Sequence, residues 1–210
     1  MEPKDTAEYK KQVYWEGRFA VEEDYDWVAK WDHYSPHLLR LVRQDHRVLV
    51  LGCGNSELSR KLFECGVKKI VNVDFSESVI RRMRQRHPEM TWIVGDIRTL
   101  RESLIQELGI GSVEGAFDVV VEKATLDALI ADSKSQWEPE EGSKRDMALV
   151  LGEVSAVLKD GSSRFVSITF QQPHFRKRFF LDSSTLVVDE VHTIEGKSLD
   201  AFIFIARKSS

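Results

Sequence analysis

The stretch Arg47-Val48-Leu49-Val50-Leu51-Gly52-Cys53-Gly54-Asn55-Ser56, followed after a short interval by Ile70-Val71-Asn72-Val73-Asp74, decides the fold. It reads as a buried strand, a glycine turn, a helix and a second buried strand ending in a carboxylate. A Rossmann-type sheet holds an adenosine ribose in this way. The glycines let the turn approach a ligand closely, and Asp74 has the lone pairs to accept hydrogen bonds from ribose hydroxyls. Together they mark a nucleoside site.

Which nucleoside follows from what the turn lacks. A dinucleotide site places a third glycine where the helix begins, so that a pyrophosphate sits on free helix N–H groups. Continuing the G-x-G-x-x-G pattern from Gly52-Cys53-Gly54, that position is Glu57. A carboxylate there suits the helix dipole but repels a pyrophosphate. The turn therefore favours a cofactor without phosphates, and S-adenosylmethionine fits. Many α/β proteins carry such a turn for packing alone, so the rest of the chain has to decide.

With 210 residues, 42% hydrophobic and 30% charged, the chain has the composition of one large α/β domain with a proper core, spanning 1–210. The formal net charge of −4 gives no general attraction to nucleic acid. Cys53 and Cys65 have neither metal-ligand spacing nor a disulfide framework, which fits a reducing compartment. The polar, acidic start Met1-Glu2-Pro3-Lys4-Asp5 resembles neither a signal nor a transit peptide, and no apolar run has the length of a membrane span. These features predict a cytoplasmic protein with no membrane or metal partner.

Periodicity predicts a helix over Ser35–Arg43, a strand over Val48–Leu51, a helix over Glu57–Cys65 and a strand over Ile70–Val73. A basic helix over Glu77–Arg86 follows, then strands over Met90–Val94 and Phe117–Val121. Asp132–Arg145 reads as a flexible loop, Met147–Leu158 as a helix and Arg164–Thr169 as a strand. Two further strands, Thr185–Val191 and Ala201–Ala206, are close enough to form an antiparallel hairpin. The expected fold is a Rossmann-like, seven-stranded, mostly parallel sheet with an antiparallel C-terminal hairpin and helices on both faces.

Val50-Leu51-Gly52-Cys53-Gly54-Asn55-Ser56 with Glu57-Leu58-Ser59, Val73-Asp74-Phe75-Ser76, and Glu122-Lys123-Ala124-Thr125-Leu126-Asp127-Ala128-Leu129 resemble the seven-β-strand methyltransferases that modify lysines of translation elongation factor 1-alpha. Tyr14-Trp15-Glu16-Gly17-Arg18-Phe19, Tyr25-Asp26-Trp27 and Pro173-His174-Phe175 resemble that family too, so the similarity spans nearly the whole chain. The E-K-x-T-L-D-A-L run is its most specific part, because ordinary Rossmann enzymes do not carry it. Two departures bear on the acceptor. Ala124 stands where the family usually has glycine, and the segment after His174 is short.

For the cofactor, the backbone of Gly52, Cys53, Gly54 and Asn55 is expected beneath the sulfonium and amino-acid part. Asp74 is expected on the ribose, Phe75 on the adenine, Asp96 at the adenine amino group and the Ile97 amide at a ring nitrogen. Asp96 also reads as a helix cap, and Phe75 as core. The resemblance implies cofactor contacts and the substrate entrance at Glu122 and Lys123, although Lys123 alone reads equally as half of an ion pair. It also implies a lid, residues 1–34, in which Trp15, Phe19 and Trp27 cover the cofactor, with Arg18 a candidate for the methionine carboxylate. Trp31 reads as an anchor for the N-terminal helix.

Methyl transfer needs the acceptor positioned and water shed, and a lysine acceptor must also lose its proton. Glu122 and Asp127 are the candidate catalytic carboxylates, with a helix cap as the other reading of Asp127. His174 is a candidate substrate contact or a plain turn histidine. The run Arg81-Arg82-Met83-Arg84-Gln85-Arg86-His87 reads as a solvated helix face in preference to an RNA site. The leading expectation is an S-adenosylmethionine-dependent protein-lysine N-methyltransferase acting on elongation factor 1-alpha. A small-molecule methyltransferase and a non-catalytic cofactor-binding module are the alternatives. Glu57 and the tail hairpin oppose an NAD-dependent oxidoreductase.

Overall fold

A computed structural model of the chain describes residues 3–133, 135–196 and 199–209. A 3₁₀ turn (Thr6–Lys10) leads into helices α1 (Gln12–Val21) and α2 (Trp31–Leu39). Strand and helix then alternate through β1 (Arg47–Leu51), α3 (Leu58–Glu64), β2 (Lys69–Asp74), α4 (Glu77–Arg86), β3 (Thr91–Val94), α5 (Leu100–Leu108) and β4 (Val119–Lys123). Next come α6 (Thr125–Leu129), α7 (Glu141–Val157), β5 (Arg164–Thr169), α8 (Pro173–Ser183), β6 (Leu186–Ile194) and β7 (Ala201–Lys208).

The strands form one sheet in the order β3-β2-β1-β4-β5-β7-β6. Neighbours from β3 through β5 are parallel, whereas β7 runs antiparallel to both β5 and β6. The predicted hairpin is present, with its second strand inserted beside β5 and its first at the sheet edge. Order reverses between β1 and β4, because the chain winds outward through β2 and β3 and then returns. Ligands of open α/β sheets bind at the carboxyl ends of strands beside such a switch point.

Side chains alternate across the pleat, so β1 sends Val48 and Val50 to one face and Leu49 and Leu51 to the other. The first face packs Tyr34 and Leu38 of α2, Leu58 and Leu62 of α3, and Val79, Ile80 and Met83 of α4. The second packs Leu100 and Leu104 of α5, Val150, Leu151 and Val154 of α7, and Phe179 and Phe180 of α8. Burial on both faces explains the apolar runs Val48–Leu51 in β1 and Val119–Val121 in β4.

Several boundaries differ from the sequence reading. α2 begins at Trp31, not Ser35, because Trp31 and Tyr34 are buried and Pro36 lies within the helix. α7 begins at Glu141, six residues before Met147, since its polar first turn carries no buried residue until Ser143. The expected loop Asp132–Arg145 therefore ends at Glu140, and Lys134 within it lies outside the described residues. α5 and α8 are additional helices. Pro173, the apparent turn residue, occupies the first turn of α8, where a missing N–H costs nothing.

Among the described residues no helix is long and apolar enough to cross a membrane, and no cluster of His, Cys, Asp or Glu is arranged to hold a metal. Trp31 is buried against Tyr34, as an anchoring residue would be. The basic face of α4 is largely occupied. Arg82 donates to the carbonyls of Phe19 and Glu22 at 2.7 and 3.0 Å, and Arg86 pairs with Asp24 at 2.7 Å. The arginines thus tie the N-terminal segment to the sheet.

Candidate functional site

At the carboxyl ends of β1, β2 and β4 lies a cavity of about 320 Å³. Its floor is the turn Gly52-Cys53-Gly54-Asn55-Ser56, where Gly52 and Gly54 have φ of +56° and +50°. Both values lie in the left-handed region that glycine enters without a Cβ penalty. Burial pushes the Cys53 thiol up, so it sits there as a neutral small group.

Asp74 ends β2 and lines the cavity. Its carboxylate accepts from the Gly54 N–H at 3.0 Å and the Ser76 N–H at 2.9 Å, which joins the end of β2 to the glycine turn. Burial pushes its pKa up to about 6 against these donors. Phe75, Asp96 and Ile97 line the adjoining wall. Asp96 caps the short turn Ile97–Thr99 and is held by Arg98 at 2.6 Å, so it is a helix cap and a cavity residue at once. Burial opposes ionisation of Asp96, yet the hydrogen bonds from Arg98 keep its carboxyl below the ordinary range.

The N-terminal segment forms the opposite wall. Trp15, Phe19, Tyr25 and Trp27 line it, and Arg18 does not. The Arg18 guanidinium is held by Glu22 at 2.9 Å and Tyr14 at 2.8 Å, and it stacks over the Trp27 ring at 4.5 Å. It braces the aromatic wall in place of the expected contact with a methionine carboxylate. Val28, at φ +71°, makes a tight turn in which the Ala29 N–H donates to the Trp27 carbonyl at 2.9 Å. A β-branched residue in the left-handed region is strained, and here the surrounding contacts impose it.

Those contacts converge on Lys123. Its ammonium donates to the Trp27 carbonyl at 2.9 Å and pairs with Asp26 at 3.1 Å, while Asp26 accepts from the Ser56 hydroxyl at 2.6 Å. Burial lowers the Lys123 pKa, opposed by Asp26. Asn55 adds a bond to the Glu22 carbonyl at 3.2 Å. Strand end, glycine turn and N-terminal segment are thereby fastened together.

Glu122 requires a correction. It is fully buried and does not line the cavity. Its Oε2 accepts from the backbone N–H groups of Thr125 and Leu126 at 3.0 and 3.1 Å, and its Oε1 accepts from the Ser167 hydroxyl. The residue caps α6, a role that suits a carboxylate at a helix N-terminus. Burial pushes its pKa up, with Arg176 acting the other way. It is placed to hold α6 from behind the cavity wall.

Asp127, within α6, does line the cavity. Its Oδ1 accepts from Thr169 at 2.5 Å and from Arg176 at 2.7 Å. His174 does not line the cavity. It stacks on Phe175 and Trp137, with ring centroids 3.9 and 5.6 Å apart, next to the loop after α6. Phe170, between Thr169 and α8, lines the cavity while remaining exposed.

Sequence reasoning missed Thr6, Tyr9 and Lys10, which reach the cavity from the 3₁₀ turn, and also Thr125 and Phe170. Lys10 pairs with Asp132 at 2.9 Å, and neither neighbourhood nor spacing in the chain announces that contact. Thr125 stands inside a motif already singled out, so its signal was present. Arg176 was hidden in a basic run that looked solvated.

The site fits S-adenosylmethionine. It combines a glycine cradle, a buried carboxylate at the end of β2, aromatic and apolar walls, and an indole N–H of Trp27 that is buried without a partner. The family model described as a methyltransferase domain matches residues 43–194. EEF1A lysine methyltransferase 4 of Bos taurus is 35% identical over 184 residues, covering 85% of this chain and 68% of the relative. The eEF1A lysine and N-terminal methyltransferase of Mus musculus is 32% identical over 84% of this chain, which spans only 24% of that longer protein.

Among solved structures, magnesium protoporphyrin IX methyltransferase from Synechocystis with bound SAM matches over 100% of both chains, at TM-score 0.59 and 16% identity. A TehB-like SAM-dependent methyltransferase from Corynebacterium glutamicum matches at TM-score 0.60 and 16% identity, over 84% of this chain and 88% of that one. At such identities the likeness concerns the fold.

Proposed function

The chain belongs to the S-adenosylmethionine-dependent class I methyltransferases and is a relative of the eEF1A lysine methyltransferases, and from that premise we propose that it methylates a lysine side chain of a protein, with elongation factor 1-alpha the first substrate to test. The observation that carries this reading is Asp127. It lines the cavity from α6 with its Oδ1 held by Thr169 and Arg176, close in the chain fold to the exposed Phe170, which supports an acceptor entering on that side.

In this reading Asp74 holds the ribose, the wall of Phe75, Asp96 and Ile97 takes the adenine, and Gly52 to Asn55 pass beneath the amino-acid part. Residues 3–34 serve as a lid, in which Trp15, Phe19 and Trp27 exclude water and Lys123 latches the closed position. When bound, S-adenosylmethionine supplies a methyl carbon on positive sulfur. The acceptor nitrogen would take that methyl group. Before that the lysine gives its proton to solvent, because an ammonium has no lone pair and the reference pKa is about 10.4. Asp127 orients the amine as it arrives.

His174 and Trp137, stacked beside the loop after α6, line the path by which a protein segment reaches Phe170 and the cavity. Cys53 and Cys65 are free thiols, one buried and one exposed, which suits a reducing compartment such as the cytoplasm, where a translation factor is available.

Incubation with radiolabelled S-adenosylmethionine and a eukaryotic lysate, with Asp74→Ala as the blank, tests the reading. A labelled band at the mass of elongation factor 1-alpha, absent from the blank, is expected. Label appearing only in small molecules would replace the protein-lysine reading with a small-molecule methyltransferase.

A further inference from the structure

Arg176, the third residue beyond Pro173 in α8, has no exposed surface and lies behind the cavity wall that Asp127 forms. Its Nη2 donates to Asp127 Oδ1 at 2.7 Å and to Thr169 Oγ1 at 2.5 Å. Nε and Nη1 are buried without partners, as are Asp127 Oδ2 and both side-chain amide atoms of Gln171, which stands between Thr169 and α8. Each buried unpaired polar group is costly, since nothing replaces the water it gave up. A buried ion pair is in any case weak support for a fold, and an apolar residue of similar volume often serves as well. The two hydrogen bonds of Nη2 leave most of this guanidinium's donors unused within the protein.

Its charge has a use at the acceptor end of the cavity. A lone Asp127 carboxylate attracts a lysine ammonium but also stabilises its proton, and that opposes attack. A fixed guanidinium immediately behind the carboxylate cancels this effect while keeping the oxygens in place. We propose that Arg176 is a positioning residue for methyl transfer: with Thr169 it fixes Asp127 against the acceptor amine and offsets the carboxylate's charge, so that the amine docks there without its proton.

The charged groups packed against Arg176 are Glu122 from β4 and Asp127 from α6. The other charges of the cavity wall are paired among themselves, Lys123 with Asp26, Arg98 with Asp96, and Lys10 with Asp132. Among the described residues no other cation pairs with Asp127, so the offset depends on Arg176.

This inference rests on the protein-lysine reading. The test uses the full chain, the protein acceptor identified in lysate, and variants Arg176→Met, Arg176→Lys and Thr169→Val. Cofactor affinity is measured by calorimetry beside kcat and KM over a range of pH. Arg176→Met is expected to bind cofactor as the wild type does and to lose about tenfold or more in kcat/KM for the acceptor. The acid limb of its rate profile should move up by about one pH unit, as loss of a neighbouring positive charge requires. Arg176→Lys keeps the charge and loses the fork, so its profile should stay in place while KM rises.

Wild-type acceptor kinetics in folded Arg176→Met, or a reduced rate with an unmoved profile, would overturn the inference. If Arg176→Met does not fold, the other two variants decide. Unchanged KM in both Arg176→Lys and Thr169→Val overturns it, and a rise in either with cofactor affinity intact supports it. Failure of the wild type to label any protein would instead defeat the protein-lysine reading.

Discussion

Thr125 and Gly52 interlock across the switch point of the sheet. The threonine hydroxyl donates to the Leu51 carbonyl at 2.9 Å, and its side chain fills the space that a Cβ on Gly52 would occupy. The glycine turn after β1 and the E-K-x-T-L-D segment after β4, distant in the chain, are thus one unit.

Gly52→Ala should break that unit. The new methyl meets Thr125, and φ of +56° is unfavourable for alanine. Together these should cost about 2–4 kcal/mol of stability and abolish cofactor binding. Adding Thr125→Ala should restore only the steric part. Thermal unfolding and calorimetry of the single and double variants check this, and equal stability of the two would refute the interlock.

Ala124 adopts φ +64°, a left-handed conformation that glycine takes without a Cβ penalty. The conformation costs an alanine about 1–2 kcal/mol, while glycine gives back about 0.4–1 kcal/mol through its freer unfolded chain. Ala124→Gly should therefore raise stability by roughly 0.5–1 kcal/mol. A lower melting temperature in the variant would count against strain at this residue.

Asp74 makes cofactor affinity depend on pH. Its pKa rises from 3.8 unfolded to about 6 in the folded chain, because burial disfavours the charge. Protonation is thus favoured by folding: this contribution to stability is complete below 3.8 and is lost as pH rises through about 6. Ribose recognition has the opposite requirement, since the ionised carboxylate is the better acceptor. Affinity should fall as pH drops below about 6, and Asp74→Asn should flatten that dependence. Calorimetric titrations across that range decide; a pH-independent affinity in the wild type would remove Asp74 from the ribose.

Lys123→Met should loosen the lid. It deletes the bonds to Asp26 and the Trp27 carbonyl and leaves the Asp26 carboxylate, among the described residues, with the Ser56 hydroxyl. Charged hydrogen bonds of this kind contribute about 1.5–3 kcal/mol, so cofactor should bind more weakly by about tenfold or more. The segment around residues 22–30 should also become open to protease. Wild-type protease resistance with full cofactor affinity would show that the latch is dispensable.

The alternation of buried runs with amphipathic helices made the sheet legible in advance, and the antiparallel tail with it. Strand ends carrying Gly52, Asp74, Asp96 and Lys123 were legible for the same reason, since a parallel sheet brings its carboxyl ends together wherever they lie in the chain. Glu122 lies outside the cavity lining although Lys123 beside it belongs to that lining, because a place at a strand end says only roughly where a residue sits. It does not say that the backbone turns at Ala124 and brings the N–H groups of α6 over the carboxylate. Arg176 escaped because its neighbours Lys177 and Arg178 share its charge, and only the docking of α8 separates one buried guanidinium from exposed ones.

By itself the sequence determined the class of fold, the strand ends that meet at the switch point and the family resemblance. These rest on local pattern, spacing and short motifs, which the linear order of residues carries. The tertiary structure alone decided which carboxylate faces the cavity, what fastens the lid and which arginine stands behind Asp127. Those depend on contacts between segments far apart in the chain, where desolvation and hydrogen-bond geometry act on residues whose positions sequence spacing does not set.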